Sequence, residues 1–276
     1  MNPRTPQALR AFGYLTLVVG TFLSILPFAW MLIAATHTTA DVFASPPPVL
    51  PGGEAIENLL RLQEETGFAK VMLNSAVIAV VYTVFSSLLS AMTGFALAKY
   101  RFTGRGLVLG FILMTMMIPM QVLLVPLFQI MATLGWIDSV QAVILPFVAN
   151  AFGIFLMRQS FESFPNELIE AARIDGAGEL RIFFQTVLPI ARPQLAALVI
   201  YTFMSQWNAF IWPLLMLNTE SNYTIPVALN TMIGLSHVDY SGLMMGSLLT
   251  TIPMLIIFVA FQKQFVAGLL GGAVKG

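Results

Sequence analysis

Hydrophobic residues are concentrated in six long runs that are separated by shorter polar segments. Each run has about the 20 residues that an α-helix needs to cross the hydrocarbon core of a bilayer. None of the runs alternates strictly between apolar and polar residues, which favours helices over the strands of a membrane barrel. We therefore predict transmembrane helices at residues of about 15–35, 73–98, 107–130, 140–157, 193–217 and 243–261.

Composition supports the same class of protein. Of the 276 residues, 58% are hydrophobic and 9% are charged, whereas a soluble domain carries roughly 25% charged residues. Arg4 and Arg10 precede the first run, which is too long for the apolar core of a signal peptide and suits a full span. The sequence contains no evident linker or repeat. We therefore predict an all-α integral membrane protein that forms a single domain over residues 1–276.

Basic residues predict the orientation in the membrane. Eleven of the 13 Lys and Arg residues lie in one set of alternate connections. That set consists of residues 1–14, 99–106, 158–192 and 262–276, whereas the opposite set is 36–72, 131–139 and 218–242. Because short cytoplasmic connections are enriched in Lys and Arg, we predict that the first set and both termini are cytoplasmic. In the opposite set, Glu54 to Thr66 is predicted to form a short surface helix.

The cytoplasmic segment 158–192 has the pattern of two short helices. Pro165 suits the first turn of a helix, and Gly176 suits its end. A second helix is indicated by an apolar stripe at helical spacing, formed by Leu180, Phe183, Phe184, Val187 and Leu188. Two interpretations remain open on these residues alone: the pair of helices lies on lipid, or its small residues let another protein approach closely.

The sequence EAARIDGAG, residues 170–178, resembles the EAA loop of the permease subunits of ATP-driven (ABC-type) importers. The longer stretch to Pro193, the end of the second span at residues 94–102 and the C-terminal residues 272–276 also resemble the carbohydrate branch, in particular the second permease of the maltose-type pair. The resemblance implies a type I importer permease with six transmembrane helices. It also implies that segment 158–192 is a coupling loop that docks on an ATPase, with contacts from Glu170, Ala171, Ala172, Asp175, Gly176 and Ala177.

The resemblance also implies a set of partners. These are a homologous second permease, two ATPase subunits, an extracytoplasmic sugar-binding protein and the lipid of a prokaryotic inner or plasma membrane. No GxxxxGK[ST] sequence is present, so ATP and Mg would be used by the ATPase subunits and no cofactor is expected on this chain. We expect no enzymatic activity and no metal site, since the chain has no cysteine and two histidines, and the net charge of zero gives no reason to expect nucleic acid.

Polar residues inside the predicted spans are candidates for a substrate path. Gln121 and Asn150 lie in the third and fourth spans, and Ser205 to Asn208 lie in the fifth, where Trp207 beside Asn208 suits a sugar ring and its hydroxyls. The alternative is that these amides bond neighbouring helices. Because the predicted spans contain no charged residue, a neutral substrate such as a sugar is favoured over a glycerol phosphate ester and over a gradient-driven carrier, and import of a polyol stays an alternative.

The predicted outer segment 218–242 resembles the loop that in the maltose-type pair extends toward the binding protein. Asn218, Asn222 and Tyr223 are the candidates for that contact. An ordinary exposed loop is the alternative. His237 and Asp239 in the same segment form a possible titrating pair, for which the same alternative holds.

Overall fold

A computed structural model describes residues 7–233 and 238–273; His237 and the C-terminal residues 274–276 lie outside these ranges. The described residues are helical apart from connections and an isolated bridge between Ile233 and Val238. The α-helices are α1 Gln7–Ala34, α2 Thr39–Val42, α3 Ala55–Thr66, α4 Phe68–Lys99, α5 Arg105–Thr115, α6 Met120–Thr133, α7 Val140–Ile144, α8 Ala151–Glu162, α9 Asn166–Ile174, α10 Glu179–Ile182, α11 Leu188–Ile190, α12 Arg192–Trp207, α13 Ile211–Met216, α14 Ile225–Thr231 and α15 Tyr240–Ala273. Single 3-10 turns occupy Leu145–Phe147 and Glu220–Asn222, and a π-helical turn occupies Phe183–Val187.

Three helices among the described residues are long and apolar enough to cross a membrane by themselves. They contain the stretches Ala11–Ala34, Phe68–Lys99 and Tyr240–Gln262. Three further helix pairs are apolar enough together but are bent by 98° between α5 and α6, by 44° before α8 and by 86° before α12. The described chain therefore has three candidate spans, or up to six if each bent pair forms one span.

Two of these bends interrupt predicted runs, at 107–130 and 140–157, whereas the third precedes the run 193–217. Local chemistry explains the first two breaks. Pro119 is extended, with φ −62° and ψ 135°, and a residue that precedes proline is disfavoured in helical conformation. The run 107–130 is therefore split into α5 and α6. Asn150 is also extended, and its side chain caps α8 by accepting a hydrogen bond from the Gly153 N–H at 2.7 Å. The run 193–217 is split after Asn208, which ends α12.

The chain divides into two compact units, of which the first is Met1–Ala69 with Ala228–Ile252. In that unit the predicted surface helix is confirmed as α3, which ends at Gly67 with φ +59°. Asp239 accepts hydrogen bonds from Thr39, Ser241 and the Gly242 N–H at 2.8–3.1 Å. Its carboxylate also lies 3.8 Å from Arg61, so this buried side chain joins α2, α3 and the start of α15.

The second unit is Lys70–Val227 with Pro253–Gly276, and α4 packs closely in it. A Cβ atom on Gly94 would lie 2.7 Å from the Arg158 backbone nitrogen, and one on Gly153 would lie 2.6 Å from Ser90 Oγ. Small residues thus let helix backbones approach, as is common where helices associate in membranes. Two buried apolar clusters form here. One surrounds Phe95 and Phe161, and the other surrounds Tyr82 and Trp212.

Candidate functional site

The segment from α9 to α11, residues 166–190, forms a helical hairpin that we call the surface hairpin. Pro165 is extended and directly precedes α9, with Glu167 in the first turn and Arg173 in the last. Both charges are placed favourably in the field of the helix dipole. Ile169 is buried and fixes α9 against the cluster around Phe95. The two helices predicted for this segment are thus present.

Gly176 forms the corner of the surface hairpin, as predicted for a residue that ends a helix. Its φ is +79°, a conformation that side chains other than glycine rarely adopt. The Gly176 N–H donates to the Arg173 carbonyl and the Ala177 N–H donates to the Ala172 carbonyl, both at 3.0 Å. This pair of bonds is the Schellman motif, which satisfies the last carbonyls of α9 and reverses the chain.

The six predicted coupling residues fall into two groups. Glu170, Ala171, Asp175 and Gly176 are exposed, whereas Ala172 and Ala177 are half-buried and pack against the cluster around Phe95. Sequence reasoning missed Ile174, whose side chain is 87% exposed beside these charges. Its position in the last turn of α9, on the side opposite the buried Ile169, was the available signal. The exposed face therefore combines small residues and charged residues with one large apolar side chain, that of Ile174.

A cluster of polar contacts joins the surface hairpin to the end of α4. Arg173 donates to both carboxylate oxygens of Glu179, at 2.7 and 3.1 Å, and the Tyr100 hydroxyl donates to the same carboxylate. The Arg173 guanidinium also lies 5.8 Å from the centre of the Tyr100 ring. Burial, followed by the hydrogen bond to Glu179, raises the pKa of Tyr100 to about 12, so this hydroxyl keeps its proton and remains a donor at neutral pH.

Lys99 makes a second connection next to the first. Its Nζ donates to the Phe164 carbonyl at 2.5 Å and to Asn166 Oδ1 at 2.9 Å. Sequence reasoning placed Tyr100 and Lys99 near the end of a span but assigned neither a partner, because the partners are more than 60 residues away along the chain.

A cavity of about 820 Å³ lies within the second unit, a size typical of small-molecule sites. Its walls combine apolar side chains with uncharged polar residues, namely Thr115, Gln121, Asn150, Ser205, Gln206 and Asn208. No charged side chain is among the described residues that line it. Such a surface offers hydrogen bonds to hydroxyl groups without an electrostatic preference for an ion.

Three of the four predicted substrate-path residues line this cavity, and Trp207 does not. The Trp207 side chain is only 2% exposed and stacks on Phe203, with ring centres 5.4 Å apart. Trp212 lines the cavity instead, but its indole N–H donates to the Ala142 carbonyl at 2.9 Å. The platform predicted from Trp207 beside Asn208 is therefore absent, because α12 turns that indole into the protein.

The cavity amides differ in how much of their hydrogen bonding the fold uses. Asn150 caps α8, and the Asn208 side chain donates to the Met204 carbonyl at 2.8 Å. Both of these bonds are local to the helix that each residue starts or ends, and Asn150 also donates to the Tyr82 hydroxyl of α4 at 3.4 Å. Gln121 is exposed and Gln206 is half-buried. Neither side chain bonds another described residue, so both amides are available to a ligand.

The segment 217–225, which we call the anchored loop, is held by Asp138. The carboxylate accepts hydrogen bonds from the backbone N–H groups of Asn218 and Thr219 at 2.9 and 3.1 Å and from the Thr219 hydroxyl. Partial burial raises the pKa of Asp138, but these hydrogen bonds outweigh it and lower the pKa to about 2. The carboxylate is therefore charged, and the anchor intact, throughout the neutral range.

The start of α4 holds the same loop. The Asn74 side chain donates to the carbonyls of Ser221 and Tyr223 at 2.8 and 3.1 Å, and Ser75 Oγ accepts from the Ile225 N–H at 2.8 Å. Of the predicted binding-protein contacts, Asn218 is exposed, whereas Tyr223 is half-buried against the cluster around Tyr82. Asn222 is also half-buried and donates to the Asp138 carbonyl at 3.2 Å.

Comparison with known proteins gives consistent matches. A sequence model of the family described as the binding-protein-dependent transport system inner membrane component matches residues 86–270. The lactose transport system permease protein of Rhizobium radiobacter is 36% identical over 258 residues, 94% of each chain. The sn-glycerol-3-phosphate transport system permease protein of Yersinia pestis is 34% identical over 272 residues, 96% of this chain and 97% of that one. A chain in the crystal structure of a bacterial ABC transporter involved in the import of the acidic polysaccharide alginate has a TM-score of 0.80 and 26% identity, over 96% of this chain and all of that one.

Proposed function

Because the chain belongs to the family of binding-protein-dependent transport system inner membrane components, we propose that it is a permease subunit of an ATP-driven sugar importer. The observation that carries this proposal is the 36% identity to a lactose permease over 94% of both chains. Similarity over nearly the whole length includes the spans, the surface hairpin and the loops together. We therefore expect transport to be carried out by an assembly, in which this chain forms part of the path through the membrane.

We propose a neutral carbohydrate as the substrate. The cavity wall presents Gln121 and Gln206 as free amides, and it has no Arg or Lys among the described lining residues. A site for a phosphate or uronate group would be expected to contain Arg or Lys, since hydrogen bonds between charged groups are stronger than those between neutral groups. Sugars offer hydroxyls and apolar ring faces, which suit uncharged donors beside apolar walls.

A second candidate is the import of sn-glycerol 3-phosphate, which is supported by the 34% identity to a permease for that compound. Uptake assays on the intact transporter separate the two candidates. Membrane vesicles with all subunits should accumulate radiolabelled neutral sugars from a panel of mono-, di- and oligosaccharides. Accumulation of labelled glycerol 3-phosphate, with no sugar taken up, would replace the first candidate with the second.

The proposed assembly includes a homologous second permease, two ATPase subunits that use ATP and Mg, and an extracytoplasmic sugar-binding protein. We place the chain in a prokaryotic inner or plasma membrane as six spans with both termini in the cytoplasm. The surface hairpin then faces the ATPase, and its exposed face with Glu170, Ile174 and Asp175 is the docking surface. Of the two interpretations of this segment, we favour contact with a protein over contact with lipid, because acidic residues beside small ones do not suit an anionic lipid surface.

The proposed mechanism is alternating access. Closure of the ATPase pair moves the docked hairpin, and the packed helices of the second unit follow as a body because their contacts are close. The cavity with Gln121 and Gln206 then opens to one side of the membrane at a time. In this scheme the chain supplies the path and the lever, and nucleotide hydrolysis occurs on the partner.

Reversing the charge of Glu170 tests the docking surface. In the Glu170→Lys variant we expect ATPase subunits to be lost from the purified complex, because the exposed carboxylate would be replaced by a cation. The matched control is Glu64→Lys, at an exposed position of α3 outside the hairpin. Co-purification and thermal unfolding of both variants are measured. Full retention of ATPase and transport by Glu170→Lys, with unchanged unfolding temperature, would contradict the proposed docking.

A further inference from the structure

Helix α4 is an uninterrupted rod of 32 residues with no internal proline. By contrast, α1, α6 and α15 contain Pro27, Pro126 and Pro253, and proline inside a helix removes a backbone hydrogen bond and bends it. At a rise of 1.5 Å per residue, the stretch from Ser75 to Lys99 spans about 36 Å. A displacement at one end of such a rod therefore reaches the other end.

One end of this rod is bonded to the surface hairpin on both sides of the α9 helix. Lys99 holds the residues that enter α9 through the Phe164 carbonyl and the Asn166 side chain. Tyr100 holds the exit of α9 through the carboxylate of Glu179, which Arg173 grips with two bonds. The two parallel bonds between Arg173 and Glu179 fix the orientation of the carboxylate that Tyr100 contacts. The end of α4 is thus tied to both ends of α9.

The other end is bonded to the anchored loop. Asn74 and Ser75 lie in the second turn of α4 and together bond the backbone at three positions of that loop, namely Ser221, Tyr223 and Ile225. Asp138 holds the start of the loop from a separate turn. Glu220 lies between these attachment points and is exposed. Movement of the start of α4 relative to Asp138 would therefore deform the loop around Glu220.

We infer that Lys99 and Tyr100 are positioning residues that transmit motion of the surface hairpin through α4 to the anchored loop. The inference rests on the proposed function, because that function is what moves the hairpin. It adds a direct mechanical connection between nucleotide state and the loop at the far end of α4. A rigid element that is attached at both sites can carry coupling of this kind, and α4 has both properties.

The absence of cysteine from the chain allows a clean test. In the complete transporter, purified through a tag on this chain, Glu220→Cys is labelled with a membrane-impermeant maleimide. Labelling rates are compared without nucleotide and after trapping with ATP and vanadate. We expect the two rates to differ by roughly fivefold or more, the lower range of allosteric coupling between sites. A second measurement on the same samples records how much ATPase subunit is bound.

The decisive variant combines Lys99→Met with Tyr100→Phe. These substitutions keep the side-chain bulk and the edge-to-face contact of the ring with Phe95, and they remove the hydrogen bonds to the hairpin. We expect ATPase subunits to stay bound while the nucleotide-dependent ratio of labelling rates falls to about one. The matched control is Tyr201→Phe, a partly exposed tyrosine whose ring packs on Phe152 and which should leave the ratio unchanged.

Three outcomes would overturn the inference. If the double variant fails to assemble, Lys99→Met and Tyr100→Phe are measured separately. An unchanged ratio in the double variant, or in both single variants, refutes transmission through these residues. A parent complex whose ratio is already one, with ATPase bound, refutes movement of the anchored loop. Absence of ATPase subunits from the parent complex refutes the proposed function and the inference with it, so the two failures are distinguishable.

Discussion

The residues that shape this protein are of two kinds. Some have a role that their neighbours in the sequence determine, and others depend on a partner that is distant along the chain. Gly176 is an example of the first kind, since the need for a positive φ at the end of α9 is set by its immediate neighbours. Tyr100 is an example of the second, since its partner Glu179 is 79 residues away. Residue type therefore indicates turns and caps, whereas side-chain pairs of this kind depend on the fold.

Replacement of Gly176 by alanine should loosen the corner of the surface hairpin. The added Cβ would meet no atom within 4 Å, so the cost is that of a left-handed backbone for an L-residue, about 1–2 kcal/mol. We expect protection of the hairpin amides from hydrogen exchange to fall by roughly 5- to 30-fold. Gly178→Ala is the control, because Gly178 has φ −70° and equally open space. Equal protection in both variants would contradict this explanation.

Helices α4, α8 and α12 show how elements depend on more than their hydropathy. Buried hydroxyls such as Ser87 and Thr202 lie 3.3 Å apart, and glycines on α4 and α8 allow close approach of the backbones. In a bilayer the lipid is as apolar as a leucine side chain, so close packing and interhelical hydrogen bonds hold helices together. The stability of these packed helices should therefore be most sensitive to a side chain that is added where two backbones are in close contact.

Gly94→Ala should destabilise the packing of α4 against α8. Its Cβ would lie 2.7 Å from the Arg158 backbone nitrogen and 2.8 Å from Met157 Cβ, and overpacking of this kind costs about 1–3 kcal/mol. Gly110→Ala on α5 is the control, since a Cβ there meets nothing within 4 Å and alanine favours a helix by up to about 1 kcal/mol. Thermal unfolding in detergent compares them, and a Gly94→Ala protein as stable as the control would contradict the packing.

At the scale of the whole molecule, the charge distribution predicts the sides of the membrane. Eleven of the 13 basic residues lie in the alternate connections that include the surface hairpin, and the bias of Lys and Arg toward the cytoplasm therefore predicts a cytoplasmic hairpin. The anchored loop belongs to the opposite set. The proposed function needs this arrangement, because the ATPase and the binding protein act from opposite sides.

Single cysteines test that orientation in intact cells or spheroplasts. A membrane-impermeant maleimide should label Glu220→Cys in the anchored loop from outside. Gly178→Cys at the hairpin corner should be labelled only after the membrane is permeabilised. Both positions are exposed, so access to the reagent decides the result. Labelling of Gly178→Cys from outside would reverse the predicted topology.

The sequence by itself determined the features that follow from neighbouring residues and average hydropathy. These are the all-helical membrane class, the two short helices around Gly176, the surface helix α3 and, through the EAARIDGAG stretch, the family. Each of them depends on apolar run length, on backbone conformation at one position or on a motif of a few residues, and all of these are properties of local sequence.

Only the tertiary structure decided where the helices break and which side chains meet. Hydropathy averages over Asn208, so the predicted run 193–217 missed the end of α12, and the direction in which Trp207 points depends on the packing of that helix. The attachment of α4 to the surface hairpin at Lys99 and to the anchored loop at Asn74 joins residues 65 to 149 positions apart. Such contacts arise from helix packing, and no local pattern in the sequence encodes them.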